Sequence, residues 1–306
     1  MSKKHKQKRQ PRQNVRGMVP SAQTVWRYTV LDFETRNAID QATESLGPEL
    51  WARDRDSIEK IERAKTADEL LDLAVIATGM AESTWFQRVR QFGPGIVPLM
   101  TERLKTSRDI PDATHQTLVR EHLIAALRWR GTVGANALEE CFADLDEYAQ
   151  SLASVVLGIL HTRSSADLIW DLFQRTKQNP ENFFVGALWG LIDLQDPRIA
   201  DALAELIQLE RVYYEMFGFI ARAGDERTVM PMASVMVHGN ELEHEQASYA
   251  LPAVAHRVGR KKVIEALTKG ELAEQSEMVE RTVDKLLQYP MDAIEDYFEM
   301  YYRGMA

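Results

Sequence analysis

The sequence of 306 residues contains one cysteine, no long apolar run and almost no strand signal. A lone cysteine, Cys141, excludes a disulfide framework and a zinc site built from several cysteines. The longest apolar stretch, residues 152–160, falls well short of the roughly 20 residues that cross a bilayer as a helix. No Asn-Gly or Asp-Gly hairpin turn separates alternating segments. We therefore expect no membrane contact, and by elimination a cytoplasmic protein.

Sequence motifs for nucleotide binding and hydrolysis are also absent. The chain has no P-loop, no Gly-x-Gly-x-x-Gly and no Gly-x-Ser-x-Gly motif. Gly93-Pro94-Gly95 is followed by neither further glycines nor a lysine, so it does not predict a phosphate loop. Carboxylates are abundant without forming a catalytic pair, which is typical of a solvated acidic surface. We predict no catalytic residue and no cofactor.

One cluster, His238 to Glu245, has metal-ligand residue types at close spacing. His238, Glu241 and His244 would share a face if one helix carried them all. Gly239-Asn240 predicts a turn between them, so the two histidines fall on different elements. No metal site is predicted.

Charge is distributed very unevenly within a net charge of −9. Residues 1–31 carry eight Lys or Arg and no acidic residue, whereas residues 32–306 carry 29 basic against 46 acidic residues, a net charge of −17. Such a body argues against nucleic-acid binding. The first 16 residues predict a disordered, solvated tail, and weak electrostatic contact with nucleic acid or an acidic partner stays open as an alternative. Its basic residues are Lys3, Lys4, Lys6, Lys8, Arg9, Arg12 and Arg16.

Helical periodicity fills the rest of the chain and repeats. Apolar pairs at i, i+3 recur at intervals of 32, 33, 29 and 32 residues, each after a Gly or Pro breaker. Ala126, Gly158 and Gly190 are spaced 32 apart, and such small residues let helices approach closely. A period near 32 with two helices per unit predicts an α-solenoid. The pairs are Leu138/Cys141, Trp170/Phe173, Leu203/Leu206, Met232/Val235 and Ile264/Leu267.

Three segments resemble one known repeat. Residues 188–206, LWGLIDLQDPRIADALAEL, resemble a HEAT-like repeat of the short bacterial type that also occurs in phycobilin lyases. Residues 219–235 repeat the pattern with Asp225-Glu226-Arg227, and residues 92–104 look like another turn and second helix. The resemblance implies an all-α fold, an α–α superhelix of HEAT-like units. In it, the Asp of each turn would cap the second helix and the Arg would contact neighbouring turns.

We predict four regions along the chain. A basic tail occupies residues 1–20, a helical N-terminal cap residues 21–84, the repeats residues 85–270, and a C-terminal helical cap residues 271–306. Thr66 to Glu69 predicts a helix start, and Cys141 falls on a buried position of the repeat. The aromatics Tyr297, Phe298, Tyr301 and Tyr302 would pack over the last repeat, or would dock a partner.

Three functions remain open at this point. The first is a non-enzymatic scaffold whose solenoid groove binds a protein partner. The second is a lyase-like or cofactor-chaperone protein, in which Trp129, Trp170 and Trp189 would stack on a ligand, although helical spacing favours the core for them. The third is an RNA- or ribosome-associated factor tethered by the tail. By resemblance, the second helices line the groove, with candidate positions Glu102, Arg103, Glu140, Asp171, Gln174, Arg175, Glu205 and Gln208.

Overall fold

The structure, a computed structural model, describes residues 48–209, 214–269, 274, 276–288 and 290–291, and every regular element within these ranges is helical. The all-α prediction is confirmed. The α-helices are α1 (Pro48–Arg63), α2 (Ala67–Asp72), α3 (Met80–Gln91), α4 (Val97–Thr106), α5 (Ala113–Arg128), α6 (Gly131–Cys141), α7 (Glu147–Ile159), α8 (Ala166–Thr176), α9 (Phe184–Asp193), α10 (Ile199–Gln208), α11 (Tyr214–Ala223), α12 (Val229–His238), α13 (Glu241–Val258), α14 (Arg260–Lys269) and α15 (Ser276–Leu286).

The helices from α3 to α14 form six successive pairs, which we call hairpins, each with a first and a second helix. The first helix of a hairpin packs on the first helix of the next, as α5 does on α7 and α7 on α9. The second helices of the last five hairpins carry the apolar pairs that repeat in the sequence; Leu138 and Cys141, for example, are fully buried on α6. The main contacts in the described ranges join elements close in sequence. Each hairpin thus buries its apolar face mainly against its neighbours.

The first helices approach most closely at glycines. A Cβ built on Gly158 of α7 would lie 2.7 Å from the Cα atom of Gly190 on α9, a distance that a side chain cannot occupy. The sequence predicted close packing at these two residues between the helices of one hairpin. The contact instead joins α7 to α9, the first helices of two successive hairpins.

In the Asp-Pro-Arg turn the arginine contacts a neighbouring unit as expected, but the aspartate bonds the turn and leaves α10 without a side-chain cap. Asp196 Oδ1 accepts the backbone amide of Arg198 at 2.9 Å, and both of its oxygens bind that residue's guanidinium. Arg198 Nη1 also reaches Asp167 on the preceding second helix, at 2.8 Å. The aspartate therefore fixes the turn into α10, while the arginine joins two hairpins.

The next hairpin repeats this arrangement. Asp225 accepts the amide of Arg227 at 2.9 Å, and Arg227 Nη1 reaches Asp201 of α10 at 2.8 Å. The two arginines lie 29 residues apart and bind equivalent aspartates, so the charge pattern follows the repeat. These pairs are partly exposed, and each adds only about 0–1 kcal/mol to stability. Their main effect is to fix the register between neighbours.

A second series of bonds caps the ends of the first helices. Three arginines, Arg88, Arg130 and Arg257, each donate to a carbonyl at or just beyond the end of another helix. A guanidinium there satisfies carbonyls that lack an intrahelical donor and interacts favourably with the negative end of the helix dipole. The acceptors are the carbonyls of Ala64 at 2.7 Å, Val89 at 2.6 Å and Gly224 at 2.8 Å.

The predicted helix start at Thr66 is confirmed. Its hydroxyl accepts the amide of Glu69, and the Glu69 carboxylate in turn accepts the Thr66 amide, which completes a capping box. The short helix α2 packs on α3 through Trp85, which is fully buried and donates its indole N–H to the Leu70 carbonyl at 2.7 Å. The described residues preceding the repeats thus belong to the same continuous core.

Candidate functional site

The predicted groove residues lie on α4, α6, α8 and α10, all second helices. On α4, Arg103 binds Asp68 at 3.0 Å and Asp72 at 2.6 Å, so it links the first hairpin to α2. Lys105 of α4 binds Glu140 of α6 at 2.7 Å. The side chain of Glu102 is exposed. This end of the second-helix row is therefore held together by ion pairs between neighbouring helices.

The remaining groove residues lie farther along the same row. Lys177 binds both Gln174 and Glu205, which joins the end of α8 to α10. Arg175 donates to Gln150 at 2.9 Å. Two further candidates, Asp171 and Gln208, are exposed. Five of the eight predicted residues thus form side-chain contacts, four of them with another helix and Gln174 with Lys177 at the end of its own helix. The other three, Glu102, Asp171 and Gln208, are exposed to solvent.

A cleft of about 310 Å³ lies between α4 and α6. Its apolar wall includes Val97, Pro98 and Val133, and Val133 is 49% exposed. The predicted residues Glu102 and Glu140 also line it, together with Lys105, which binds Glu140. The exposed Glu102 carboxylate beside an accessible apolar wall suits a peptide that combines an apolar side chain with a cation.

The most unusual side-chain cluster was not predicted from the sequence. Glu82 of α3 lies beside Glu121 and His122 of α5, with the His122 Nε2 atom 3.9 Å from the Glu82 carboxylate. The Tyr148 hydroxyl of α7 donates to Glu121. The buried His122 ring places its Nδ1 atom 2.6 Å from the carbonyl of Leu118. Two carboxylates therefore share a largely buried site with an imidazole and a phenol.

Burial controls the proton affinities of this cluster. Burial raises the pKa of Glu82 to about 7, and the neighbouring charge of Glu121 adds to the effect. Burial also raises the pKa of Glu121, although the hydrogen bond from Tyr148 opposes it. The pKa of His122 falls to about 4 for the same reason, so the ring is neutral at pH 7. The cluster can bind or release a proton near neutral pH.

Only one signal for this cluster exists in the sequence, the adjacent pair Glu121-His122 on a predicted helix. Glu82 lies 39 residues earlier, and no spacing rule joins it to the pair. Its proximity follows from the packing of α3 on α5. Perturbed carboxyl groups are enriched at functional sites, and they also occur in purely structural clusters.

The histidine cluster divides between two helices, as predicted. His238 ends α12, whereas His244 lies in α13 and directs Nδ1 at the Met236 carbonyl, 2.5 Å away. Asn240 caps α13 between them through a capping box with Glu243. Within the described ranges no group of three or more His, Cys, Asp or Glu side chains is arranged to hold a metal ion.

The predicted burial of Cys141 is confirmed, since its side chain is fully buried on α6. Burial raises the pKa of its thiol to about 11. We expect no reaction with a thiol reagent such as iodoacetamide in the native protein at pH 8, and complete reaction in denaturant, because the thiolate is the reactive form. Mass spectrometry of the alkylated protein measures both. Rapid native alkylation would contradict this assignment.

The three tryptophans proposed as stacking residues differ in exposure. Trp189 is buried, whereas Trp129 and Trp170 are partly exposed. Each indole ring carries an arginine on its face, at 5.8 Å for Arg90 over Trp129 and 5.3 Å for Arg198 over Trp170. Cation–π contacts of this kind stabilise the surface modestly. The rings are thus already covered on one side.

The basic tail residues, Lys3 to Arg16, and the aromatics from Tyr297 to Tyr302 lie outside the described residues. None of the helices that the structure describes combines the length and apolarity needed to cross a lipid bilayer. Comparison of the chain with protein-family models, with curated proteins and with solved structures yields no match.

Proposed function

We propose that the protein is a non-enzymatic scaffold, a HEAT-like solenoid that binds a protein partner along its row of second helices. The observation that carries this proposal is the repeated bonding between hairpins. Arg198 and Arg227 each join a turn to the second helix before it, at 2.8 Å in both cases. Units that bond in the same way to their neighbours stack in register and extend a common face.

The first helices and the second helices differ in how closely they pack, and this difference affects the direction in which a stack of hairpins bends. The backbones of α7 and α9 meet at Gly158 and Gly190, whereas their partners α8 and α10 are not among the closely packed pairs. Tighter packing of the first helices favours a stack that bends toward them. The family resemblance implies the opposite, with second helices on the concave side. The proposed binding face is therefore defined by its exposed side chains, whichever way the stack bends.

The second-helix face offers more accessible side chains than the first-helix row. Nearly all of α7 and α9 is buried, whereas α4, α6, α8 and α10 each expose several polar residues. Glu102 and Glu140 line the cleft between α4 and α6, beside the exposed Val133. A partner segment with an apolar side chain next to a lysine or arginine complements this surface.

The test replaces Glu102, Val133 and Asp171, which form no ion pair in the described part of the chain, so that the substitutions leave the fold intact. We expect the tagged protein, cross-linked in its source cells, to retain a stoichiometric protein partner. The triple variant Glu102→Arg, Val133→Arg and Asp171→Arg should lose it, because it introduces repulsion and fills the cleft. A control, Glu181→Arg, lies after α8 and should keep it. Absence of any stoichiometric partner, or retention by the triple variant, would refute the proposal.

Deleting residues 1–20 separates this function from the tail-tethered alternative. A scaffold keeps its partner after the deletion. Loss of co-sedimentation with ribosomes or RNA at low salt would instead favour the third hypothesis, because charge-driven contacts depend on the tail's cations. Visible absorbance of the purified protein would favour the cofactor-chaperone hypothesis.

A further inference from the structure

Three arginines of the first two hairpins have no carboxylate within ion-pair distance in the described ranges. Arg88 and Arg90 lie near the end of α3, and Arg130 lies between α5 and α6. No acidic residue occurs in residues 83–101 or 122–138. The body of this protein carries a net charge of −17, so a cluster of unneutralised cations is exceptional within it.

Three of the four arginines in the comparable turns that follow are neutralised, whereas Arg163, between α7 and α8, has no ion pair in the described ranges. Arg198 binds two aspartates, and so does Arg227. Arg260, at the start of α14, binds Asp284 at 2.5 Å. Because these turns carry their own carboxylates, cations there attract anions weakly. The turn between α5 and α6, which carries Arg130, has no carboxylate of its own.

The geometry concentrates two of these cations, Arg90 and Arg130, at one place. Arg130 donates from Nη2 to the Val89 carbonyl at 2.6 Å, next in sequence to Arg90. Arg90 lies over the Trp129 ring, 5.8 Å from its centroid. Burial lowers the pKa of Arg130, and repulsion from the charge of Arg90 lowers it further. Each of the two arginines thus contacts the residue that precedes the other in sequence, and a shared anion would balance both charges.

The backbone at this place is also suited to an anion. Arg130 is the N-cap residue of α6, whose first turn receives no side-chain cap. Gly131 follows with φ 53°, and nothing lies within 4 Å of the position that a Cβ would take. The positive end of the α6 dipole thus opens to solvent beside Arg130.

We propose that Arg90 and Arg130, with the start of α6, bind a phosphate monoester group. A phosphate dianion concentrates its charge in one group and accepts several hydrogen bonds from guanidinium and amide donors. An extended polyanion such as RNA would have to run on over the acidic body, which repels it. A phosphorylated side chain of a protein and a small phosphate compound share the required chemistry.

The test measures binding of inorganic phosphate and of a capped phosphoserine tripeptide by isothermal titration calorimetry on the full chain. We expect Arg90→Gln to weaken both affinities by about tenfold, because one charge-assisted contact is lost. Arg222→Gln is the matched control: Arg222 lies over Trp189 at 5.4 Å, but Asp225 and Glu226 follow it closely, so its loss should change affinity less than about twofold.

Additional arms identify the source of the phosphate and protect against misfolding. Tighter binding of the phosphopeptide than of adenosine monophosphate supports a phosphoprotein, and the reverse order supports a nucleotide. Arg130→Gln removes a helix cap, so its fold is checked by thermal melting. Failure of phosphate to bind, equal binding by wild type and Arg90→Gln, or Arg90-dependent binding of single-stranded RNA in preference to every monoester would each overturn the proposal. None of these outcomes bears on the partner of the second-helix face.

Discussion

Replacing Gly186 with alanine is expected to destabilise the protein by about 3 kcal/mol, the upper range for overpacking a core. A Cβ at this position of α9 would lie 2.2 Å from the carbonyl oxygen of Ser151 and 2.3 Å from its hydroxyl. The carbonyl oxygen cannot move away, because it belongs to the backbone of α7, where Ser151 is buried. The two first helices must therefore separate.

Intrinsic helix propensity alone would make this substitution stabilising. Alanine favours a helix over glycine by about 1 kcal/mol, so any loss of stability must come from packing. Gly95→Ala is the matched control, since nothing lies within 4 Å of its Cβ position. Urea unfolding followed by circular dichroism measures both variants. Equal stability of Gly186→Ala and wild type would contradict the close approach of α7 and α9.

Replacing Glu82 with glutamine is expected to stabilise the protein above neutral pH, by about 3 kcal/mol at pH 8. The pKa of Glu82 is raised from 4.5 to about 7 in the folded protein. Between these values the unfolded chain releases a proton that the folded protein keeps. The protonated Glu82 carboxyl group therefore makes its full contribution to stability below pH 4.5. This contribution declines as the pH rises and is lost above about pH 7.

The variant removes this pH dependence because glutamine has the shape of protonated glutamate and never ionises. At pH 5 the gain should fall below about 1 kcal/mol, since wild-type Glu82 is then mostly neutral. Glu102→Gln is the control, because Glu102 is exposed and its substitution should leave stability nearly unchanged at both pH values. Urea unfolding at pH 5 and pH 8 measures the difference. A gain of the same size at both would show that ionisation of Glu82 is not responsible.

Much of the fold follows from local signals in the sequence. Thr66 and Glu69 specify a helix start through hydrogen bonds that span three residues, and the structure contains both bonds. Asp196 fixes its turn in the same way, by accepting an amide two residues ahead. Repeats add to this predictability, because a contact between neighbouring units recurs at a fixed interval. Burial of Cys141 could be inferred from its register alone.

The two clusters with the strongest electrostatic effects could not be predicted in this way. Glu82 meets Glu121 only because α3 packs on α5, and Arg90 meets Arg130 for the same reason. The sequence intervals involved, 39 and 40 residues, match neither a helix period nor the 32-residue repeat. Residue types indicated the charges, but not which of them would be buried or left without a counter-ion.

For this protein, composition and periodicity are sufficient to specify helices, turns and the repeating pattern of apolar residues, since each depends on interactions within a few residues. Proton affinity and anion attraction depend instead on distance and burial, which arise when successive hairpins pack. Glu82 is an ordinary glutamate in the sequence, and it titrates near pH 7 because folding removes most of its water and places Glu121 beside it.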